Sequence, residues 1–209
     1  MIPLFLVLSV ITIVSGVLGG LYWWRQRNRY LAATHYNTGV SYLQTGKYPE
    51  AIDEFTAALK CNKNLMDAQY GLGLTFVHQH RYHEGIGMLE SVIAAMPANA
   101  IAHYNLGRAY IAVGKLDEAQ QVLKQALRVN PDVKEVHFNL ARVYQEKGDL
   151  EQAKISCKQA LKLDPNYRRA HDYLEFLSGI RHTNPVDLEA VRHALQDFDA
   201  TDTAYMLTL

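Results

Sequence analysis

The sequence predicts an all-α protein: a solenoid of four helical hairpins, closed by a capping helix and preceded by one transmembrane helix. Three observations carry this. A pattern of residue types recurs every 34 residues. Within each period, apolar residues fall at helical spacing on both sides of a turn. Ahead of the first period, residues 1–24 contain no charged side chain.

The N-terminal run MIPLFLVLSVITIVSGVLGGLYWW is the first element. Roughly 20 helical residues suffice to cross a hydrocarbon core of about 30 Å. A cleavable signal peptide would need a basic start, a shorter apolar core and a small-residue cleavage site. Here no basic residue comes first, the core is longer, and it ends in Tyr22, Trp23 and Trp24. These aromatics suit a membrane interface. Arg25, Arg27 and Arg29 follow at once in the connector 25–31. The positive-inside bias then predicts a single-pass anchor with the N-terminus outside and the repeats in the cytoplasm. Basic residues at that position suit anionic membrane lipid. Thr12, Gly16 and Gly20 recur every four residues, which would let a second membrane helix approach, although glycine is common in such helices. With neither Pro nor Gly between Arg25 and Thr38, the spanning helix should run stiffly into the first repeat.

The repeat comes next. HYNTGVS at 35–41 is echoed by QYGLGLT at 69–75, HYNLGRA at 103–109 and HFNLARV at 137–143. Six further columns keep the period of 34. Tyr42, Phe76, Tyr110 and Tyr144 form one, and Gly46, His80, Gly114 and Gly148 a turn column. Ala51, Gly85, Ala119 and Ala153 are small, as are Ala58, Val92, Ala126 and Ala160. Phe55, Leu89, Leu123 and Cys157 are apolar or bulky, and Lys63, Pro97, Pro131 and Pro165 close the units. Glycine at the turn supplies a positive φ without a Cβ penalty. Proline after the second helix lacks the amide hydrogen needed to continue it. One such hairpin is too small to bury its apolar face; three or more stacked together succeed.

In these columns the chain resembles the tetratricopeptide repeat family. The four units tile 32–65, 66–99, 100–133 and 134–167 without a gap. Departures are local: His stands where the family usually has Trp, His80 replaces a turn glycine, and Lys63 replaces a closing proline. The resemblance implies a right-handed superhelix whose concave groove takes proteins or peptide segments. Residues 168–180 repeat only the first half of the pattern and read as the capping helix. In the tail 181–209, Asn184, Pro185 and Asp187 begin a helix pattern, and Leu188, Val191, Leu195 and Phe198 give it one apolar stripe. This helix has three open destinations: the last repeat, the groove as a self-inhibitor, or a partner.

Candidate binding residues follow from position on the first helix of each unit. Tyr36, Tyr70, Tyr104 and Phe138 lie about 100° round from the inward-packing residues. They form either an aromatic ladder for a partner segment or packing between repeats. Asn37, Asn105 and Asn139 follow, with Gly71 in the remaining position. Their amides serve either a partner backbone or their own repeat. Arg108 and Arg142, one period apart, suit an acidic group or an ordinary solvated surface. The aromatic column contains no Lys, which argues against the family's clamp for chaperone C-termini. His78, His80 and His83 cluster without supporting carboxylates, so no metal or other cofactor is expected. Cys61 and Cys157 form no CxxC pair and lie nearly three repeats apart, too far for a disulfide.

Charge excludes one class. Lys+Arg and Asp+Glu are both 21, and residues 32–167 carry 14 of each sign, so no nucleic-acid partner is expected. From His182 onward, Arg192 faces Asp187, Glu189, Asp197, Asp199 and Asp202, a difference of −4. No nucleophile motif, phosphate loop or isolated carboxylate pair supports an enzyme. The expected function is that of a membrane-anchored scaffold that recruits partners at the cytoplasmic face for assembly or regulation of a membrane complex. A self-associating coat, a homo-oligomer, is the alternative; an enzyme with accessory repeats is the more remote one.

Overall fold

A computed structural model describes the backbone of residues 4–179 and the side chains from residue 14 onward. Among the described residues there are nine α-helices. They are α1 (Leu4–Gln44), α2 (Tyr48–Cys61), α3 (Met66–His78), α4 (Tyr82–Ala95), α5 (Ala100–Ala112), α6 (Leu116–Val129), α7 (Lys134–Glu146), α8 (Leu150–Leu163) and α9 (Arg168–Leu177). Helices α3, α5, α7 and α9 begin at 66, 100, 134 and 168, each 34 residues after the last. The proposed C-terminal amphipathic helix lies outside the described residues.

The chain divides into two compact units, Met1–Gly71 and Leu72–Leu209. In the first, α1 packs along α2. Phe55 is the centre of that contact and is fully buried. Gly39 and Gly71 lie against its ring: a Cβ on either would come within 2.9 and 2.5 Å of the ring carbons. A phenylalanine fits between these helices only because both neighbours lack a side chain.

In the second unit α5 pairs with α6 and α7 with α8, while α4–α5, α6–α7 and α8–α9 contacts join successive hairpins. Within this unit the hairpins stack as a solenoid, each burying the apolar face of the one before. The columns read from sequence form its core. Leu89, Leu123 and Cys157 are wholly buried, as are Ala119, Ala126, Ala153 and Ala160. Phe138, Cys157, Tyr173 and Leu177 close the far end as one apolar cluster. Capping is mixed: Asn99 and Asp149 accept from the amides of Ala102 and Gln152, whereas α4 and α6 start without a side-chain cap.

The turns obey the glycine column. Gly46, Gly114 and Gly148 have φ of 71°, 74° and 83°. His80 adopts the same left-handed conformation, at 61°, despite its Cβ. Its ring nitrogen Nδ1 hydrogen-bonds the Tyr82 hydroxyl at 2.7 Å.

The expectation of a transmembrane anchor is overturned. Among the described residues, no helix is long and apolar enough to cross a membrane. The apolar run is not a helix of its own, because α1 continues unbroken through the first repeat to Gln44. Where side chains are described, the uncharged stretch before Arg25 is only Val14–Trp24. That stretch rises about 16 Å, roughly half a hydrocarbon core. Three glycines and a serine dilute its hydropathy further. Trp23 is not a free interfacial ring either: the Arg27 guanidinium lies 5.7 Å from its centroid. The single-pass topology with cytoplasmic repeats therefore falls. So does the anchoring role of Tyr22, Trp23, Trp24, Arg25, Arg27 and Arg29. Tyr22, Trp23 and Trp24 are simply exposed on α1.

Candidate functional site: the first-helix row

The aromatic and asparagine columns differ from repeat to repeat. In the first unit Tyr36 is half-buried and tilts against Phe55, with ring centroids 6.0 Å apart. Burial and the charge of Asp67 raise its hydroxyl pKa above the usual range. Asn37 is exposed and Tyr70 half-buried.

In the second unit Tyr104, Asn105, Phe138 and Asn139 are all buried. Phe138 meets Tyr167 and Tyr173 edge-on at 5.6 and 5.5 Å. The amides are engaged in their own helices: Asn105 Nδ2 donates to the Ile101 carbonyl at 3.1 Å, and Asn139 Nδ2 to the Glu135 carbonyl at 2.9 Å. Asn139 also donates to the Tyr104 hydroxyl at 3.4 Å, linking α7 to α5.

Over this row lie guanidinium groups. Arg108 sits over the Tyr104 ring at 5.4 Å, and Arg169 over Phe138 at 5.1 Å. Arg142 Nη1 donates to Asn139 Oδ1 at 3.2 Å. All three arginines are half-buried. Burial lowers the pKa of Arg142, and the like charges of Arg169 and Arg108 lower it further, against the opposite pull of Tyr173 and Glu146. His78 is held down to about 4, first by burial, then by the charges of Arg108 and His80. The second unit thus gathers positive charge on a row of rings and amides.

The histidine column has a different role from simple packing. His103, His137 and His171 use Nε2 to bond the carbonyls of Pro97, Pro131 and Pro165, at 2.9, 3.2 and 2.8 Å. Since a carbonyl only accepts, each imidazole donates. Gln69 reaches the Lys63 carbonyl in the same way at 3.2 Å. Each bond pins the loop between units to the helix that follows. His35 has no such loop before it and pairs with Glu54 at 2.7 Å.

Models of the tetratricopeptide repeat match residues 39–79 and, in two overlapping stretches, 76–134 and 111–175. The chain belongs to the tetratricopeptide repeat family. No curated protein sequence matches it. Among solved tetratricopeptide-like structures, TTC0263, a thermophilic protein of Thermus thermophilus, is 28% identical. It aligns over 85% of this chain and 100% of its own, with a TM-score of 0.63. MamA of Desulfovibrio magneticus RS-1 is 19% identical with a TM-score of 0.66, over 86% of this chain and 98% of that one. PilF of Pseudomonas aeruginosa is 20% identical with a TM-score of 0.66, over 87% and 76%. The last two likenesses bear on the fold.

Two features of these tetratricopeptide repeats escaped the column search. Arg169 lies 27 residues after Arg142, off the period of 34, so column reading passes over it. The loop-pinning histidines were legible in principle, since each follows its proline by six residues. The two cysteines are unpaired. Burial pushes the Cys157 thiol up to about 12, which keeps it protonated and inert at neutral pH. Among the described residues, no group of three His, Cys, Asp or Glu side chains is placed to hold a metal ion.

Proposed function

We propose that this protein is an interaction scaffold whose tetratricopeptide repeats hold a partner segment along their first-helix face, in the assembly of a protein complex. The observation that carries the reading is the arginine-bearing row of the second unit. Arg108 and Arg142 stand one period apart over Tyr104 and Asn139, half-buried and held in place. Pre-positioned guanidiniums suit carboxylates or backbone carbonyls of an extended chain. Tyr36, Asn37 and Tyr70 supply the corresponding polar and aromatic groups in the first unit. The buried Tyr104, Asn105, Phe138 and Asn139 shape and stiffen this face rather than touch a partner themselves. The reading is non-catalytic, as tetratricopeptide scaffolds generally are.

Photocrosslinking residues at positions 108 and 37 of the full chain should each capture a discrete partner. A crosslinker at Ile155, exposed on α8, should not. Equal capture at all three positions would reject the first-helix face as the site.

A second reading rests on α1. Val14, Val17, Leu18, Leu21, Tyr22, Trp23 and Trp24 are all exposed there, an apolar area larger than single surface residues need. Self-association would cover it. Light scattering of the full chain and of a Leu21→Ser, Trp24→Ser variant should show a larger mass for the first; equal monomer masses would remove this reading.

A further inference from the structure

The arginine row of the second unit is the strongest concentration of one charge in the described protein. Arg108, Arg142 and Arg169 come from three successive first helices, α5, α7 and α9. They are tied to one continuous set of contacts: Arg108 to Tyr104, Tyr104 to Asn139, Asn139 to Arg142, and Arg169 to Phe138 beside it. The described bond of Arg142 goes to a neutral amide, and no described carboxylate pairs with it. The mutual repulsion of the three cations depresses the pKa of Arg142, as burial does more strongly. Such an arrangement is relieved by an anion and is costly without one.

The same chain carries a matching anion supply. Directly after α9 the sequence turns acidic, with Asp187, Glu189, Asp197, Asp199 and Asp202 against Arg192. The reach is sufficient. From Gly179 to Asp187 is eight residues, at most about 27 Å when extended. Helix α9 is about 15 Å long, so that span already returns past Arg169. Phe138 and Tyr173 place α7 directly beside α9, with rings 5.5 Å apart. The remaining acidic residues therefore have length to spare for Arg142 and Arg108. The apolar residues Leu188, Val191, Leu195 and Phe198 alternate with the acids and suit the aromatic floor of the row.

We propose that the acidic C-terminal segment, residues 180–209, occupies the row of Arg108, Arg142 and Arg169 within the same molecule and competes with partners for it. This rests on the scaffold reading above and adds its regulation. An attached segment competes at an effective concentration near the millimolar range, so even weak contacts would hold partners off.

The test uses the full chain carrying Cys61→Ser and Ala200→Cys, with a paramagnetic label at position 200. Cys157, wholly buried, does not take the label. Amide signals of Arg142 and Arg169 should broaden at least twofold relative to the reduced label, and those of α6 should not. Neutralising the tail with Asp187→Asn, Glu189→Gln, Asp197→Asn, Asp199→Asn and Asp202→Asn leaves the repeats untouched. It should abolish the broadening and raise partner crosslinking at position 108 severalfold. Absence of broadening on α7 and α9 overturns the proposal. So does broadening seen only when labelled and isotope-enriched chains are mixed, which would mean a second copy. Unchanged crosslinking after neutralisation overturns the competition. If crosslinks at position 108 form equally with either tail, the scaffold reading stands and only the regulation fails; if neither chain crosslinks there, the scaffold reading itself fails.

Discussion

The first repeat and the later ones carry the same sequence column to different ends. Tyr36 and Asn37 stand half-buried and exposed, whereas Phe138 and Asn139 are buried to a few per cent exposure. The residues are near-equivalent; what differs is what covers them. Phe138 lies under Arg169, Tyr167 and Tyr173, supplied by the start of the next unit. Tyr36 has Phe55 on one side only among its described ring contacts. In a repeat protein a position is thus defined by its column and also by the neighbour that closes over it.

The strongest way to break this comparison is truncation of the two rings. Phe138→Ala should lower the unfolding free energy by about 4 kcal/mol, and Tyr36→Ala by roughly 1, since only the first opens a cavity in a closed core. Urea unfolding followed by circular dichroism measures both; equal losses would contradict the burial difference. The asparagines come next. Asn139→Ala strips an acceptor from Arg142 and two donor contacts from the α5–α7 junction, for a cost of about 2–3 kcal/mol. Asn37→Ala, on an exposed side chain, should stay within about 0.5 kcal/mol.

A pH series sharpens the contrast further. His78 is held down to about 4 in the fold. Its unfolded value is higher, near 6.5, so the unfolded chain binds a proton first as pH falls. The stability is fully present above about pH 6.5 and is lost progressively towards pH 4, by about 2 kcal/mol after allowance for partial exposure. Gln44 holds the equivalent place in the first repeat and does not titrate. His78→Gln should flatten this part of the profile, and a slope of unchanged steepness would assign it to other groups. The smallest effect concerns the turns. His80→Gly relieves a left-handed residue but loses the Tyr82 bond and adds unfolded-state freedom, for a net change within about 1 kcal/mol. Gly114→Ala should instead destabilise by about 1 kcal/mol, measured in the same urea series.

Much of this was written in the chain itself. The period of 34 placed the starts of α3, α5, α7 and α9, because each helix must offer its apolar stripe to a neighbour of the same geometry. The small and bulky columns marked the core for the same reason, and the turn column marked positive φ even where it held His80. The apolar N-terminal run misled, because an uncharged stretch looks like an anchor whether or not it forms a spanning helix of its own; in the fold it is the front of α1. The candidate site was legible as positions but not as exposures. Sequence placed Tyr104, Asn105, Phe138 and Asn139 on one helical face, and angular position around a helix is set by the 3.6-residue turn alone. Whether that face meets water or the next hairpin depends on chain far away in sequence. Arg169 makes the same point: it joins Arg108 and Arg142 through folding, outside any period. Local helical geometry fixed the columns, and only the stacking of one hairpin on another decided which of their side chains remain available to bind.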